Sequence, residues 1–197
     1  MRGVFRCFGW LSVLSVCACG PGPTADELAA RYQRNPAPKR PYRTELKTAD
    51  TPGPFARAEG FVGFEAPNCT YIPDRIAGAR SMPSIDLPMA FSKVDESTFV
   101  ATIYADAMLD QDYRLGDGVC HRELRSVNAW LTATSAKTDT RYVVNLSGDE
   151  AIARRSQTNC YVMDRYPGDD PEGGRNPEIN VATGSSRNSR INCSQSP

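Results

Sequence analysis

Histidine is nearly missing from this chain: among its 197 residues there is one, His121. A zinc site built on several imidazoles is excluded, and no second histidine exists to serve in a nucleophile, base and acid triad. Net charge is missing too, because Lys+Arg and Asp+Glu both count 23. That removes the basic footprint of nucleic-acid binders and polybasic membrane-surface proteins, so no nucleic-acid partner is expected. Nowhere does the sequence hold an apolar run near the roughly 20 residues that a helix needs to cross a hydrocarbon core. Long helices are disfavoured as well, since Gly and Pro supply 15 residues each and punctuate the whole chain. There is no internal repeat, and the length predicts one folded domain.

What is present begins at the N-terminus. Arg2 and Arg6 precede an apolar run over residues 7–16, softened only by Ser12 and Ser15, which is the form of a signal peptide. The following Val16-Cys17-Ala18-Cys19-Gly20 resembles the lipobox of bacterial lipoprotein precursors: an aliphatic residue, a small residue just before the cut, then cysteine. The resemblance covers residues 1–20 and departs from the commonest pattern in having Val16 for Leu and Cys17 for Ser or Ala. An ordinary secretory cleavage is the alternative, and Cys17 fits less well as anchor because Val16 would stand where a small residue is wanted. The resemblance implies that residues 1–18 are removed, that the Cys19 sulfur carries a diacylglycerol, and that the new amino terminus takes a further palmitate-like chain. Several chains bury many methylenes at about 0.8 kcal/mol each, which makes anchoring stable where one chain is marginal. Gly20 in place of Asp implies, by the same resemblance, outer-membrane attachment facing the periplasm.

Seven cysteines then divide usefully. Cys7 and Cys17 leave with the signal and Cys19 is acylated, so Cys69, Cys120, Cys160 and Cys193 remain. In an oxidising compartment, four cysteines predict two disulfides with three possible connectivities. Cys69 with Cys120 and Cys160 with Cys193 is the preferred set, because the second bridge ties down a tail poor in apolar surface; such a bridge contributes about 3–4 kcal/mol in the chain-entropy model. Metal is not expected from these thiols, since no CxxC spacing occurs after Cys19.

Along the chain, Thr24 and Glu27 form a capping-box pair opening a short helix over residues 28–32. Pro36, Pro38, Pro41, Pro52 and Pro54 lie among polar residues, so residues 19–58 read as anchor, helix and extended tether. The alternative is an arm docked on the domain through Tyr42 and Leu46. A β-rich domain is expected over residues 59–166, with strands near 61–64, 69–72, 87–91, 98–104, 120–134, 142–146 and 160–163 and a weak one at 179–181. Residues 87–91 and 98–104 look like the arms of a hairpin across 92–97. Phe99, Ala101 and Ile103 share one face, whereas the 120–134 strand changes parity near residues 125–127, where a bulge is predicted. A second capping box, Ser147 with Glu150, starts another short helix. Residues 167–197 form a Gly/Ser/Asn-rich tail, coil unless Cys193 is bridged. The fold class is therefore mainly β: an antiparallel β-sandwich or partly closed barrel with one or two short helices.

The densest polar cluster holds Asp106, Asp110, Asp112 and Asp117. On a turn between strands such carboxylates could offer oxygens to calcium, but an EF-hand opening at Asp110 would want an oxygen ligand at Arg114, Gly at Leu115 and Glu at His121. Asp and Gly are also ordinary turn residues. The four acids are assigned instead to partner binding, as an acidic loop that meets a basic cleft. Cys120 and His121 are adjacent on a strand and point to opposite faces, so they cannot pair as nucleophile and base. Asp95-Glu96 and Asp149-Glu150 read as solvated surface, and Trp130 and Tyr104 as core anchors. The stretch from Asp110 to Cys120 is similar to segments of uncharacterised bacterial envelope lipoproteins, a class that supplies no catalytic residues to transfer. No catalytic residue, metal or cofactor is expected. The expected function is a non-enzymatic envelope lipoprotein that binds a protein, in its specific form an immunity or inhibitor protein against a toxin or wall hydrolase; the alternative is a calcium- or small-ligand-binding periplasmic module.

Overall fold

The computed structural model describes residues 22–74, 76–136, 138–162, 166–168 and 191–194. In chain order its elements are α1 (Ala25–Ala29), β1 (Pro41–Lys47), β2 (Arg57–Glu65), β3 (Ser84–Ala90), β4 (Ser92–Lys93), β5 (Thr98–Tyr104), β6 (Gln111–Asp112), β7 (Val119–Cys120), β8 (Glu123–Thr132), β9 (Tyr142–Ser147), α2 (Gly148–Ile152), β10 (Asn159–Val162) and β11 (Ile191–Ser194). The expected signal segment, Cys19, the strand at 179–181 and most of the tail lie outside the described residues.

Two antiparallel sheets carry the fold, one ordered β1-β5-β4 and the other β3-β2-β8-β9. Their inner faces meet in one core, with Leu46, Phe99, Ala101 and Ile103 from the first sheet and Val62, Phe64, Leu87, Met89, Val127, Ala129 and Leu131 from the second. Period-2 alternation is the cause: every second residue of β5, Phe99, Ala101 and Ile103, is buried, and the residues between face outward or the edge. The arrangement is sandwich-like, and no closed barrel forms among the described residues.

The parity change in β8 is a real bulge. Gly63 faces Ser126 while the next residue, Phe64, faces Leu124, so Arg125 is the extra residue and Leu124 re-enters the core out of step with Val127. Both capping boxes are formed, Thr24 with Glu27 at α1 and Ser147 with Glu150 at α2. Both helices are short, as expected, but α1 spans Ala25–Ala29, starting directly after its Thr24 cap, where residues 28–32 were expected; α2 spans Gly148–Ile152.

Three expectations are corrected. Pro41–Lys47, part of the expected tether, is a strand paired along its full length with β5. Its Leu46 is buried in the core, so the docked-arm alternative describes this segment. The arms at 87–91 and 98–104 are not one hairpin, because β3 pairs with β2 in one sheet and β4 with β5 in the other; the chain changes sheets at Phe91. Residues 69–72 form no strand, only an isolated bridge from Tyr71 to Ser81.

Beside the main core lies a second, smaller one at one end of the sandwich. Leu28 of α1, Ala66, Cys69, Tyr113 and Cys120 pack together there, with Tyr32, Tyr71 and Leu115 against them. The Cys69–Cys120 disulfide crosses this cluster. Cys160 is disulfide-bonded, and the β10–β11 register sets it opposite Cys193.

Candidate functional site

The four acids expected to bind a partner lie on the connection from β5 to β8, yet each turns toward the protein's own backbone. Asp106 accepts the amide N–H groups of Lys39 at 2.8 Å and Arg40 at 3.0 Å. Asp110 accepts the Arg122 amide at 2.7 Å and pairs with His121 Nδ1 at 2.9 Å. Asp112 accepts the Arg114 amide at 2.7 Å, closing an Asx turn around a residue at φ 59°. Asp117 accepts the Thr70 amide at 2.9 Å. The carboxylates diverge, and no group of three or more His, Cys, Asp or Glu side chains fit to hold a metal occurs among the described residues.

Hydrogen bonding to the charged form leaves its mark on acidity. The Lys39 amide, with Arg40 behind it, holds the Asp106 carboxyl below the ordinary carboxylate range. Desolvation pushes Asp110 upward, but the Arg122 amide and the His121 ring outweigh it and its acidity is raised as well. These acids act as staples for the loop, fastening it to the arm on one side and to the start of β8 on the other.

Arg122 anchors the same end from within. It is buried, its guanidinium lies 3.9 Å from the Tyr32 ring centroid, Nε donates to the Tyr113 hydroxyl at 3.0 Å and Nη1 to the Pro83 carbonyl at 2.9 Å. Nη2 is buried with no hydrogen-bond partner among the described residues. Planar stacking and a fixed fork of donors suit Arg to this place, where Lys would offer neither. Burial pushes the Tyr32 hydroxyl's pKa upward.

A different surface carries the features of a contact site. On the solvent face of the four-stranded sheet, register sets Ala90, Glu59, Trp130 and Val143 in one row, and Pro88, Phe61, Asn128 and Asn145 in the next. Phe61 and Trp130 are diagonal neighbours with ring centroids 6.3 Å apart. The Arg141 guanidinium lies 5.7 Å from the Trp130 ring centroid, and Trp130 Nε1 donates to Glu59 at 3.3 Å. Glu59 is in turn ion-paired with Arg57. Trp130 and Tyr104, expected in the core, instead face outward: Trp130 is half-buried on this sheet and Tyr104 is exposed. The signal was available for Trp130, since it falls out of phase with Val127, Ala129 and Leu131.

A hollow of about 360 Å³ also opens between β1 and α2, lined by Tyr42, Arg43, Glu45, Leu146, Arg154 and Arg155. Three of its four charged lining residues are arginines, with Glu45 the fourth. No protein-family model matches the chain, and neither a curated protein nor a solved structure matches it.

Proposed function

We propose that this chain is a non-enzymatic lipoprotein of the bacterial envelope, acylated at Cys19, that binds another protein on the outer face of its four-stranded sheet. The observation that carries the proposal is the Phe61–Trp130 pair, held side by side and half-buried on the outer face of the sheet with Arg141 against the indole. Trp and Arg dominate the energetics of protein interfaces, because each brings large contact area with few rotatable bonds or a fixed set of donors. Asn128 and Asn145 beside the aromatic pair, and Glu59 and Arg57 at its flank, supply the polar rim that such sites use. A sheet face is also stiffer than a loop, so little ordering cost accompanies binding. In its specific form the partner is a toxin or wall hydrolase that the protein neutralises.

The acidic connection supports this role indirectly, since its carboxylates fix the protein's own backbone. The test is affinity capture of the acylated protein from its native envelope, comparing the parent with a Phe61→Ser, Trp130→Ala double variant and with Asp112→Lys. A partner kept by the parent and by Asp112→Lys, and lost at least tenfold by the double variant at unchanged melting temperature, is expected. Equal recovery by the double variant refutes the sheet face, and loss confined to Asp112→Lys returns the contact to the acidic loop.

A further inference from the structure

The chain between the anchor and the fold is short. In the acylated state proposed above, on which this inference rests, the lipid is at Cys19 and the first residue fixed by the domain is Thr24, the N-cap of α1. Five residues of extended chain reach about 17 Å. A domain of some 150 residues has a radius of gyration of about 15 Å and is about 40 Å across. The leash is shorter than half the domain's width, so the surface around α1 cannot move away from the bilayer.

No slack is regained further along. Leu28 is fully buried against Ala66, Cys69, Tyr113 and Cys120. Arg31 Nη1 donates to the Tyr113 carbonyl at 3.0 Å, Arg34 bridges to Met108, and the Asn35 amide donates to Ala107 at 2.8 Å. From Pro41 the chain is a sheet strand. The stretch expected to hold the domain off the membrane is part of the domain.

The end that α1 pins down is also where exposed apolar side chains gather. Of seven large hydrophobic residues that are exposed among the described residues, four lie on the two segments joined by the Cys69–Cys120 disulfide: Ile72, Ile76, Met82 and Val119, with Ile76 wholly in solvent. These segments are fastened together by Asn68 donating to the Val119 carbonyl at 2.8 Å, by Thr70 donating to Asp117, and by the Tyr71–Ser81 bridge. Arg80 and Arg114 are exposed on the same segments and join no ion pair among the described residues. Asp74, Asp112 and Asp117 on these segments spend carboxylate oxygens on local backbone amides, and it is the aliphatic tips, with Arg80 and Arg114 among them, that suit the headgroup layer.

We propose that the disulfide-tied end lies in the membrane interface, with Ile72, Ile76, Met82 and Val119 among the lipids and Arg80 and Arg114 at their phosphates. β2 ends there at Glu65 and β8 begins there at Glu123, so the sheet stands up from the bilayer and its Phe61–Trp130 face looks sideways into the compartment. The lipid at Cys19 thereby sets orientation as well as address.

The test uses the acylated protein purified from membranes and reconstituted into vesicles of phosphatidylethanolamine and phosphatidylglycerol, with some lipids brominated along the acyl chain. Fluorescence quenching is compared between the parent, whose tryptophan after the cleaved segment is Trp130, and Ile76→Trp or Val119→Trp in a Trp130→Phe background of matching melting temperature. The introduced tryptophans are expected to be quenched about threefold or more over Trp130, with blue-shifted emission. Weak and equal quenching, with the diacylglycerol present on Cys19 by intact mass, overturns the orientation alone. An intact mass without acyl groups overturns the anchoring beneath it. If vesicles do not quench but Ile76→Asp abolishes capture of the protein partner, the loops belong to that partner instead.

Discussion

At the residue scale, the acids near the disulfide show how the same side chain can be an interface or a fastener. Asp106 accepts two consecutive amides from the arm, and this contact holds its carboxyl below the ordinary range, with the Lys39 amide the largest cause. A depressed folded-state pKa means stability that is fully present above the unfolded value, about 4, and lost as pH falls through the folded one. The protein should therefore keep its urea midpoint from pH 7 down to about 5 and lose it below about 4. Asp106→Asn should start with a lower midpoint at pH 6 and show a flatter acid limb, read from urea titrations at pH 6 and pH 3. An acid limb identical to the parent's would remove Asp106 as a stabilising contact. Glycine matters at this scale where space, not φ, requires it: a Cβ on Gly148 would run into the Leu124 carbonyl, so α2 can pack on β8 only with glycine at its first position.

At the element scale, α1 is a single turn that cannot be stable alone, because a few residues do not repay the cost of nucleating a helix. Its stability comes from the capping box at Thr24 and from Leu28, which is fully buried. Leu28→Ala should lower unfolding free energy by about 2–5 kcal/mol, the range for truncating a buried leucine. A helix on a free tether would give no measurable change in the same denaturant titration. The bulge at Arg125 is another decision at this level, since one extra residue lets Leu124 and Val127 both reach the core although their spacing breaks alternation. It also brings Arg125 to Asp86 at 3.3 Å across β2, an exposed pair whose net contribution is small.

At the scale of the whole molecule, the second core needs its covalent link. Cys69 and Cys120 are 51 residues apart, so closing that loop removes denatured-state entropy equivalent to about 4 kcal/mol in the chain-entropy model. A Cys69→Ser, Cys120→Ser variant should lose stability of about that size by chemical denaturation, and with it the fixed geometry of residues 66–83. Loss of less than about 1 kcal/mol would mean that Leu28, Tyr113 and Arg122 hold this end without the bridge.

The sequence by itself determined the local pieces: the capping boxes at Thr24 and Ser147, the buried face of Phe99, Ala101 and Ile103, and the bulge near Arg125. Each rests on short-range periodicity or side-chain-to-backbone bonding, which neighbouring residues already specify, whereas the cysteine count left three connectivities and folding selected Cys69–Cys120. Only the tertiary structure decided the rest. Pro41–Lys47, set in a stretch punctuated by prolines, looked solvated because its partner, β5, lies far along the chain, and an edge strand tolerates both the proline at its start and the charges on it. Trp130 is the exception: size and hydrophobicity suggest core, but its phase against Val127, Ala129 and Leu131 already carries the outward direction. Which amides Asp106, Asp110 and Asp117 fasten is equally hidden from any local window, because they come from residues 39, 40, 70 and 122, which only folding brings within 3.0 Å. Long-range pairing is a property of the whole chain's packing, and no local window of sequence contains it.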